Sequence, residues 1–150
     1  MKPVLQALLV ADHVYIDKVT GKKVVAGIFH RLWFKKAQRV PEINAEQGTI
    51  KIEIPASGHQ SGSPFCYISL TELRGKQPLA LRYVRLDDYK VIFRTEFTIE
   101  CQNPLETIAI VFPLPVLPTH TPGIFALELL WNEEPLGSHR LIVEELKEGE

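Results

Sequence analysis

The residues of this 150-residue chain that could do chemistry are five histidines, two cysteines and a few short acidic or glycine-containing motifs. No two histidines lie two or four residues apart, and neither Cys66 nor Cys101 has a histidine or a second cysteine at ligand spacing. Zinc sites normally show such tight local spacing. Phosphate-cradling glycine loops are absent from the sequence as well. We therefore predict no metal ion and no cofactor.

Nucleophilic and acid–base motifs are equally weak. Residues 58–62 read Gly-His-Gln-Ser-Gly, which is not the Gly-x-Ser-x-Gly elbow of the hydrolases. Asp12 and His13 are adjacent, but neighbouring strand residues point to opposite faces. We therefore interpret Asp12 as a structural carboxylate in apolar surroundings, held by backbone N–H groups. The acidic pairs 87–88 and 133–134 fall in predicted turns. The sequence predicts no catalytic residue and a protein that is not an enzyme.

Composition and charge narrow the class further. Seventeen basic and eighteen acidic residues give a formal charge of -1, so no strong field attracts nucleic acid or membranes. No run approaches the ~20 apolar residues of a membrane span. Two cysteines are too few for a disulfide framework, which favours a reducing, cytoplasmic setting. The length fits one domain, residues 1–150, with an acidic C-terminal tail from about residue 144.

Strand periodicity is the dominant pattern of the chain. Apolar residues occupy one face and charged or polar residues the other in residues 91–101, and similar alternation occurs in residues 50–54, 79–83 and 125–131. The apolar phase changes after Tyr83, which predicts a β-bulge there. Residues 4–16 are apolar on both faces, which is typical of a central strand rather than a secretory signal.

Turn chemistry separates these strands at residues 20–21, 74–75, 87–88 and 132–135. Short strands with turns every 8–12 residues are typical of a sandwich or a barrel. We predict an all-β fold, a two-sheet antiparallel β-sandwich of about eight or nine strands, immunoglobulin-like in kind.

We make separate predictions for three connecting segments and one strand. Residues 30–45 and 56–64 read as loops or short helices, and the proline-rich residues 113–123 as a rigid crossover between sheets. Residues 107–112 form a strongly apolar strand. If that strand lies at a sheet edge it needs a partner or a cover, so we expect self-association.

Binding to another protein, or to a second copy, is the function that the sequence favours. The alternative is a small ligand or an anion held by the basic stretch 18–39, which has seven basic residues, no acidic one, and two aromatic residues inside it. Nucleic acid is disfavoured, because the aromatic pair is better explained as closing one end of the core. The candidate contact residues are Trp33, Phe34, Lys35, Lys36, His59 and His120.

Several strand and turn patterns together resemble a known family. They are residues 4–12 (Val-Leu-Gln-Ala-Leu-Leu-Val-Ala-Asp), 20–23 (Thr-Gly-Lys-Lys), 26–29 (Ala-Gly-Ile-Phe), 122–129 (Pro-Gly-Ile-Phe-Ala-Leu-Glu-Leu) and 136–138 (Leu-Gly-Ser). The chain resembles an uncharacterised bacterial family of small single-domain proteins, known only as a domain of unknown function. The resemblance implies a soluble bacterial β-sandwich and carries over no catalytic residue.

Overall fold

The structure, a computed structural model, describes residues 2–34 and 63–146, and between them only the backbone of four short strands at 38–39, 43–45, 48–50 and 53–54. Every regular element of this part of the chain is a strand. In chain order they are β1 Val4–Ile16, β2 Lys23–Ile28, β3 Arg31–Phe34, β4 Gln38–Arg39, β5 Ile43–Ala45, β6 Gly48–Ile50, β7 Glu53–Ile54, β8 Phe65–Thr71, β9 Gly75–Arg85, β10 Lys90–Cys101, β11 Ile108–Pro113, β12 Gly123–Trp131 and β13 Glu134–Glu145.

Nine of these strands build two sheets, which confirms the predicted all-β sandwich. One sheet has the order β11-β8-β1-β2 and the other the order β10-β9-β12-β13-β3. Every pairing in them is antiparallel except that of β3 with β13, which is parallel. The four remaining strands form two separate ladders, β4 with β7 and β5 with β6. Within the described residues, no helix has the length and apolar content needed to cross a lipid bilayer.

The core lies between the two sheets and is filled by the apolar face of each alternating strand. Strand β8 contributes Cys66, Ile68 and Leu70, all fully buried, and strand β12 contributes Leu127 and Leu129 from the opposite sheet. Full burial of one such aliphatic side chain stabilises the folded chain by about 1.5–3 kcal/mol relative to leaving it exposed. The alternation that the sequence shows therefore encodes the inward face of each sheet.

The turn between β12 and β13 illustrates how local chemistry sets the register. Its two central residues, Asn132 and Glu133, have φ angles of 49° and 62°. Two-residue hairpin loops favour positive φ at both positions, because that twist matches the twist of the flanking strands. The predicted turn is confirmed and is shorter than the four residues we assigned to it.

The bulge that we predicted after Tyr83 is present next to Tyr83, but it lies on the neighbouring strand β10 and not on β9. Strand β9 continues through Tyr83, and the register shift lies between Val91 and Phe93 on the paired strand β10. As a result Ile92 packs against the core, whereas Val91 is 46% exposed. The apolar character of Val84 does not reflect a bulge in β9. Tyr83 and Val84, on opposite faces of this strand, are both fully buried.

Three further expectations are corrected. Asp12 is exposed rather than surrounded by apolar groups, because β1 pairs with β8 only as far as Ala11 and from there to Ile16 pairs only with β2. The segment that begins at residue 30 starts with strand β3, not with a loop or short helix. The acidic tail does not begin at residue 144, since β13 continues to Glu145 and Glu144 forms an ion pair with Arg31.

The proline-rich connector links the two sheets as predicted. It leaves β11 in the four-stranded sheet and enters β12 in the five-stranded one. Leu114 and Leu117 anchor it, being 5% and 1% exposed. The backbone N–H of Leu114 also donates to the carbonyl of Pro64 at 2.9 Å. The connector is therefore fixed against the end of the sandwich.

Candidate functional site

The residues proposed from the sequence as contacts do not form one patch. Phe34 is 4% exposed and belongs to the core, so its side chain is not available as a surface contact. Trp33 lies beside it on β3 and is half-buried. His120 is exposed on the proline-rich connector. Lys35, Lys36 and His59 lie outside the described residues.

The basic stretch 18–39 is divided by the fold. Lys18, Lys22 and Lys23 are exposed around the turn that joins β1 to β2. Arg31 lies on β3, where its guanidinium is paired with the carboxylate of Glu144. The remaining basic side chains of the stretch fall outside the described residues.

The free edge of strand β11 is the feature that most resembles an unfinished interface. Strand β11 pairs with β8 from Ile108 opposite Leu70 to Pro113 opposite Phe65, and no described residue pairs with its other side. The strand carries no charge and its residues 108–112 are all half-buried. A row of unpaired backbone N–H and C=O groups on such a strand is a template for another chain.

The inner face of β11 is continuous with the core. Ile108, Ile110 and Phe112 pack against it, and the Phe112 ring lies 4.7 Å from that of Phe97, centroid to centroid. Ala109 and Val111 therefore lie on the outer face, because successive strand residues alternate. The strand is therefore fixed by the core and by β8, while its second edge pairs with nothing in the part of the chain that the structure describes.

The other three edges of the two sheets carry features that oppose pairing. At the β2 edge, Gly27 has φ of 75°, and a Cβ there would lie 2.6 Å from Oδ2 of Asp12. Strand β10 carries the register shift and four charged residues, Lys90, Arg94, Glu96 and Glu100. Strand β3 is only four residues long and begins with Arg31. Short, bulged or charged edges are how natural sheets avoid unwanted pairing.

A buried polar cluster lies on the outer face of the five-stranded sheet. Glu128 is 8% exposed and accepts hydrogen bonds from Nε of Arg82 at 3.0 Å and from the hydroxyl of Tyr89 at 2.9 Å. Arg82 also lies over the Tyr89 ring, with Cζ 5.4 Å from its centroid. Arg82 and Glu128 are directly opposite each other on β9 and β12. Among the described residues, none of these side-chain atoms is both buried and without a hydrogen-bond partner, so we interpret the cluster as structural.

His139 is a second buried polar group. Its side chain is 4% exposed, its Nε2 lies 2.8 Å from the carbonyl oxygen of Phe29, and its ring stacks on that of His30 at 4.5 Å. Burial lowers the pKa of His139 and the nearby His30 lowers it further, whereas the Phe29 carbonyl opposes them.

We expect the free energy of unfolding to decrease as the pH falls below about 6.5, the ordinary pKa of histidine. The pKa of His139 is lower in the folded state, so in this range the unfolded chain binds a proton that the folded chain does not. The stability contributed by neutral His139 is complete above pH 6.5 and is lost as the pH falls through the folded-state value. Urea unfolding between pH 5 and 8 measures this. His139→Gln should weaken the dependence and His13→Gln should retain it; equal slopes in both variants would refute the assignment.

The described residues hold no group of three or more His, Cys, Asp or Glu side chains placed to hold a metal ion. Cys66 and Cys101 are both buried and free, and burial raises the pKa of the Cys66 thiol to about 12.

Comparison with known proteins places the chain in a family without assigning an activity. A protein-family model matches residues 6–144, which extend from strand β1 into strand β13. No curated protein matches the chain. The description of the matching model is "Family of unknown function (DUF6941)".

Proposed function

The chain belongs to this family of unknown function, and from that premise we propose that it is a non-enzymatic assembly module that pairs with a second copy of itself along the edge of strand β11. The observation that carries the proposal is the contrast between the four sheet edges. Strand β3 is short, β10 is bulged and charged, and β2 carries Lys23 and the positive φ of Gly27, whereas β11 offers an uncharged edge of six residues.

A second copy suits this edge better than an unrelated strand because β11 is complementary to itself. An antiparallel pair centred on Ile110 places Ile108 opposite Phe112 of the other copy and Ala109 opposite Val111. Each opposing pair then lies on the same face of the sheet, as strand alternation requires. No like charges meet across the pair, and the inner apolar row continues from one core into the next.

The test is the molar mass in solution, measured by sedimentation equilibrium across the micromolar range. We expect the wild-type chain to have twice its monomer mass of 17.0 kDa. Val111→Lys inserts two charges into the apolar pairing and should give a monomer that remains folded. The matched control is Val24→Lys, which places the same charge at the opposite edge strand β2 and should leave the dimer intact.

Two results would contradict the proposal. One is a wild-type chain that stays monomeric at every concentration. The other is dissociation by Val24→Lys but not by Val111→Lys, which would move the contact to β2. Thermal unfolding of both variants checks that a variant which no longer forms the dimer is still folded.

We also propose that the sandwich is immunoglobulin-like. The support is the division of the chain between the sheets: β8 and β11 lie in one sheet, while β9, β10, β12 and β13 lie in the other. Immunoglobulin domains divide their corresponding strands in the same way. An experimental structure with β8 and β9 in the same sheet would contradict this assignment.

We place the protein in the bacterial cytoplasm. The support for the compartment is that Cys66 and Cys101 are both free thiols, and the support for a bacterial source is the family resemblance. Fractionation of cells that express the chain from its own gene tests the compartment, and recovery outside the cytoplasm would contradict it.

A further inference from the structure

A cavity of about 280 Å³ lies at one end of the sandwich, between the β9–β10 hairpin and the proline-rich connector. It is separate from the β11 edge, and of the side chains that line it only His120 was a contact candidate from the sequence. Its described lining residues are Arg85, Lys90, Val91, Ile92, Pro118, His120, Thr121 and Phe125.

Every polar side chain in this lining can donate a hydrogen bond, and two of these side chains are cationic. Arg85 and Lys90 are cationic, the imidazole of His120 can donate from a ring nitrogen, and Thr121 adds a hydroxyl. No carboxylate is among the described lining residues. The arrangement favours an anionic ligand.

Arg85 has unused donor capacity. Its Nε is buried and has no hydrogen-bond partner among the described residues. Arg85 forms a long ion pair with Asp87, whose Oδ2 lies 3.6 Å from Nε, and its Nη2 donates a long hydrogen bond of 3.5 Å to the carbonyl oxygen of Pro122. Both distances exceed the 2.7–3.2 Å of a good hydrogen bond. A buried donor without an acceptor is costly, so a ligand that supplies one gains that energy on binding.

Gly123 keeps this arrangement open. A Cβ at Gly123 would lie 3.0 Å from Oδ2 of Asp87, 3.4 Å from Nε of Arg85 and 3.5 Å from Cε1 of Phe125. The absence of a side chain lets the guanidinium lie close to the backbone at the start of β12, beside the floor of the cavity.

The floor is apolar. Phe125 is 3% exposed and stacks with Tyr83 at 5.5 Å, so its ring is held in place from behind. Ile92 reaches the cavity because the register shift in β10 turns it inward. Apolar walls with a few convergent polar groups are the usual composition of a small-molecule site.

We propose that this cavity binds a small organic monocarboxylate, with the carboxylate on Arg85 and Lys90 and the apolar body against Ile92 and Phe125. The planar guanidinium matches the geometry of a carboxylate, and the ammonium of Lys90 adds charge. The apolar floor selects an organic acid over a bare inorganic anion.

The probe for the test is phenylacetate, titrated into the ¹⁵N-labelled chain and followed by two-dimensional NMR. We expect saturable shifts that are largest at the amides of Ile92 and Thr121. The neutral 2-phenylethanol, which has the same ring and chain, and inorganic phosphate, which has charge but no apolar body, should each bind at least about tenfold more weakly, because one loses a charge-assisted hydrogen bond and the other loses burial.

Variants separate a site from a general effect of charge. Arg85→Gln and Lys90→Met should each raise the dissociation constant of phenylacetate, Arg85→Gln by about tenfold or more. The matched controls are Arg74→Gln and Lys76→Met, which remove exposed cations of the same types outside the cavity. If Arg85→Gln disturbs the fold, Lys90→Met on the exposed hairpin remains the test.

Three outcomes would overturn the proposal. They are shifts scattered over the surface, equal binding of phenylacetate and 2-phenylethanol, and dissociation constants that the cavity variants and the control variants change alike.

Discussion

Replacing Arg82 with methionine should lower the free energy of unfolding by about 3–5 kcal/mol, the range for removing one partner of a buried ion pair. The side chains of Arg82 and Glu128 are 17% and 10% exposed, so neither charge has much water to replace its partner. The methionine side chain covers an area of the sheet similar to that covered by arginine, but it donates no hydrogen bond to Glu128. Among the described residues, Glu128 then keeps only the hydroxyl of Tyr89 as a hydrogen-bond partner.

The double variant Arg82→Met, Glu128→Leu should recover most of that loss. Replacing both members of a buried pair by apolar groups removes the desolvation cost along with the attraction, and the exchange is often neutral or stabilising. Urea unfolding of the wild type, both single variants and the double variant completes the cycle. A double variant as unstable as Arg82→Met would show that packing, rather than the unpaired carboxylate, is the cause.

The pairing of Arg82 with Glu128 could not be predicted from the sequence. The alternation of residues 125–131 correctly put Leu127 and Leu129 in the core, and it left Glu128 on what looked like the solvent side. That side is nevertheless covered, since Leu130 on the same face is 1% exposed. Periodicity identifies the two faces of a strand, whereas the burial of the second face depends on which strands flank it.

The same distinction explains the outcome for β11. Its apolar alternation was readable, and self-association was conditional on its lying at an edge. The edge position follows from the sheet order, in which β11 pairs only with β8 among the described residues. That order results from long-range pairing, which no local pattern encodes. The opposing features of the other edges, such as the positive φ of Gly27, became meaningful only once those edges were known.

The cavity at the end of the sandwich was missed for a related reason. His120 was singled out as a contact residue, yet Arg85 and Lys90, which line the same cavity, lie on strands that precede it by thirty residues or more. Each of the three residues resembles an ordinary surface residue in its own segment. Only the crossover of the proline-rich connector, which was predicted, brings them to one place.

Tyr83→Phe should increase the free energy of unfolding by about 1 kcal/mol, because it removes a buried hydroxyl that has no hydrogen-bond partner among the described residues. Tyr83 is fully buried, and its ring stacks between Phe93 at 5.4 Å and Phe125 at 5.5 Å. The same burial raises the pKa of Tyr83, because removing a charged phenolate from water is costlier than removing the neutral phenol. Phenylalanine preserves both ring contacts and loses only the unpaired group.

The matched control is the same substitution at Tyr89, where the sign should reverse. The Tyr89 hydroxyl donates to Glu128 at 2.9 Å and accepts from Nη2 of Arg82 at 3.1 Å, so Tyr89→Phe should cost about 1 kcal/mol. For a chain of this length, 1 kcal/mol corresponds to a shift in Tm of about 2–4 °C, upward for Tyr83→Phe and downward for Tyr89→Phe. Calorimetry measures both. A decrease in Tm for Tyr83→Phe would mean that the hydroxyl has a partner in solution, because a ring that keeps its stacking contacts has nothing else to lose.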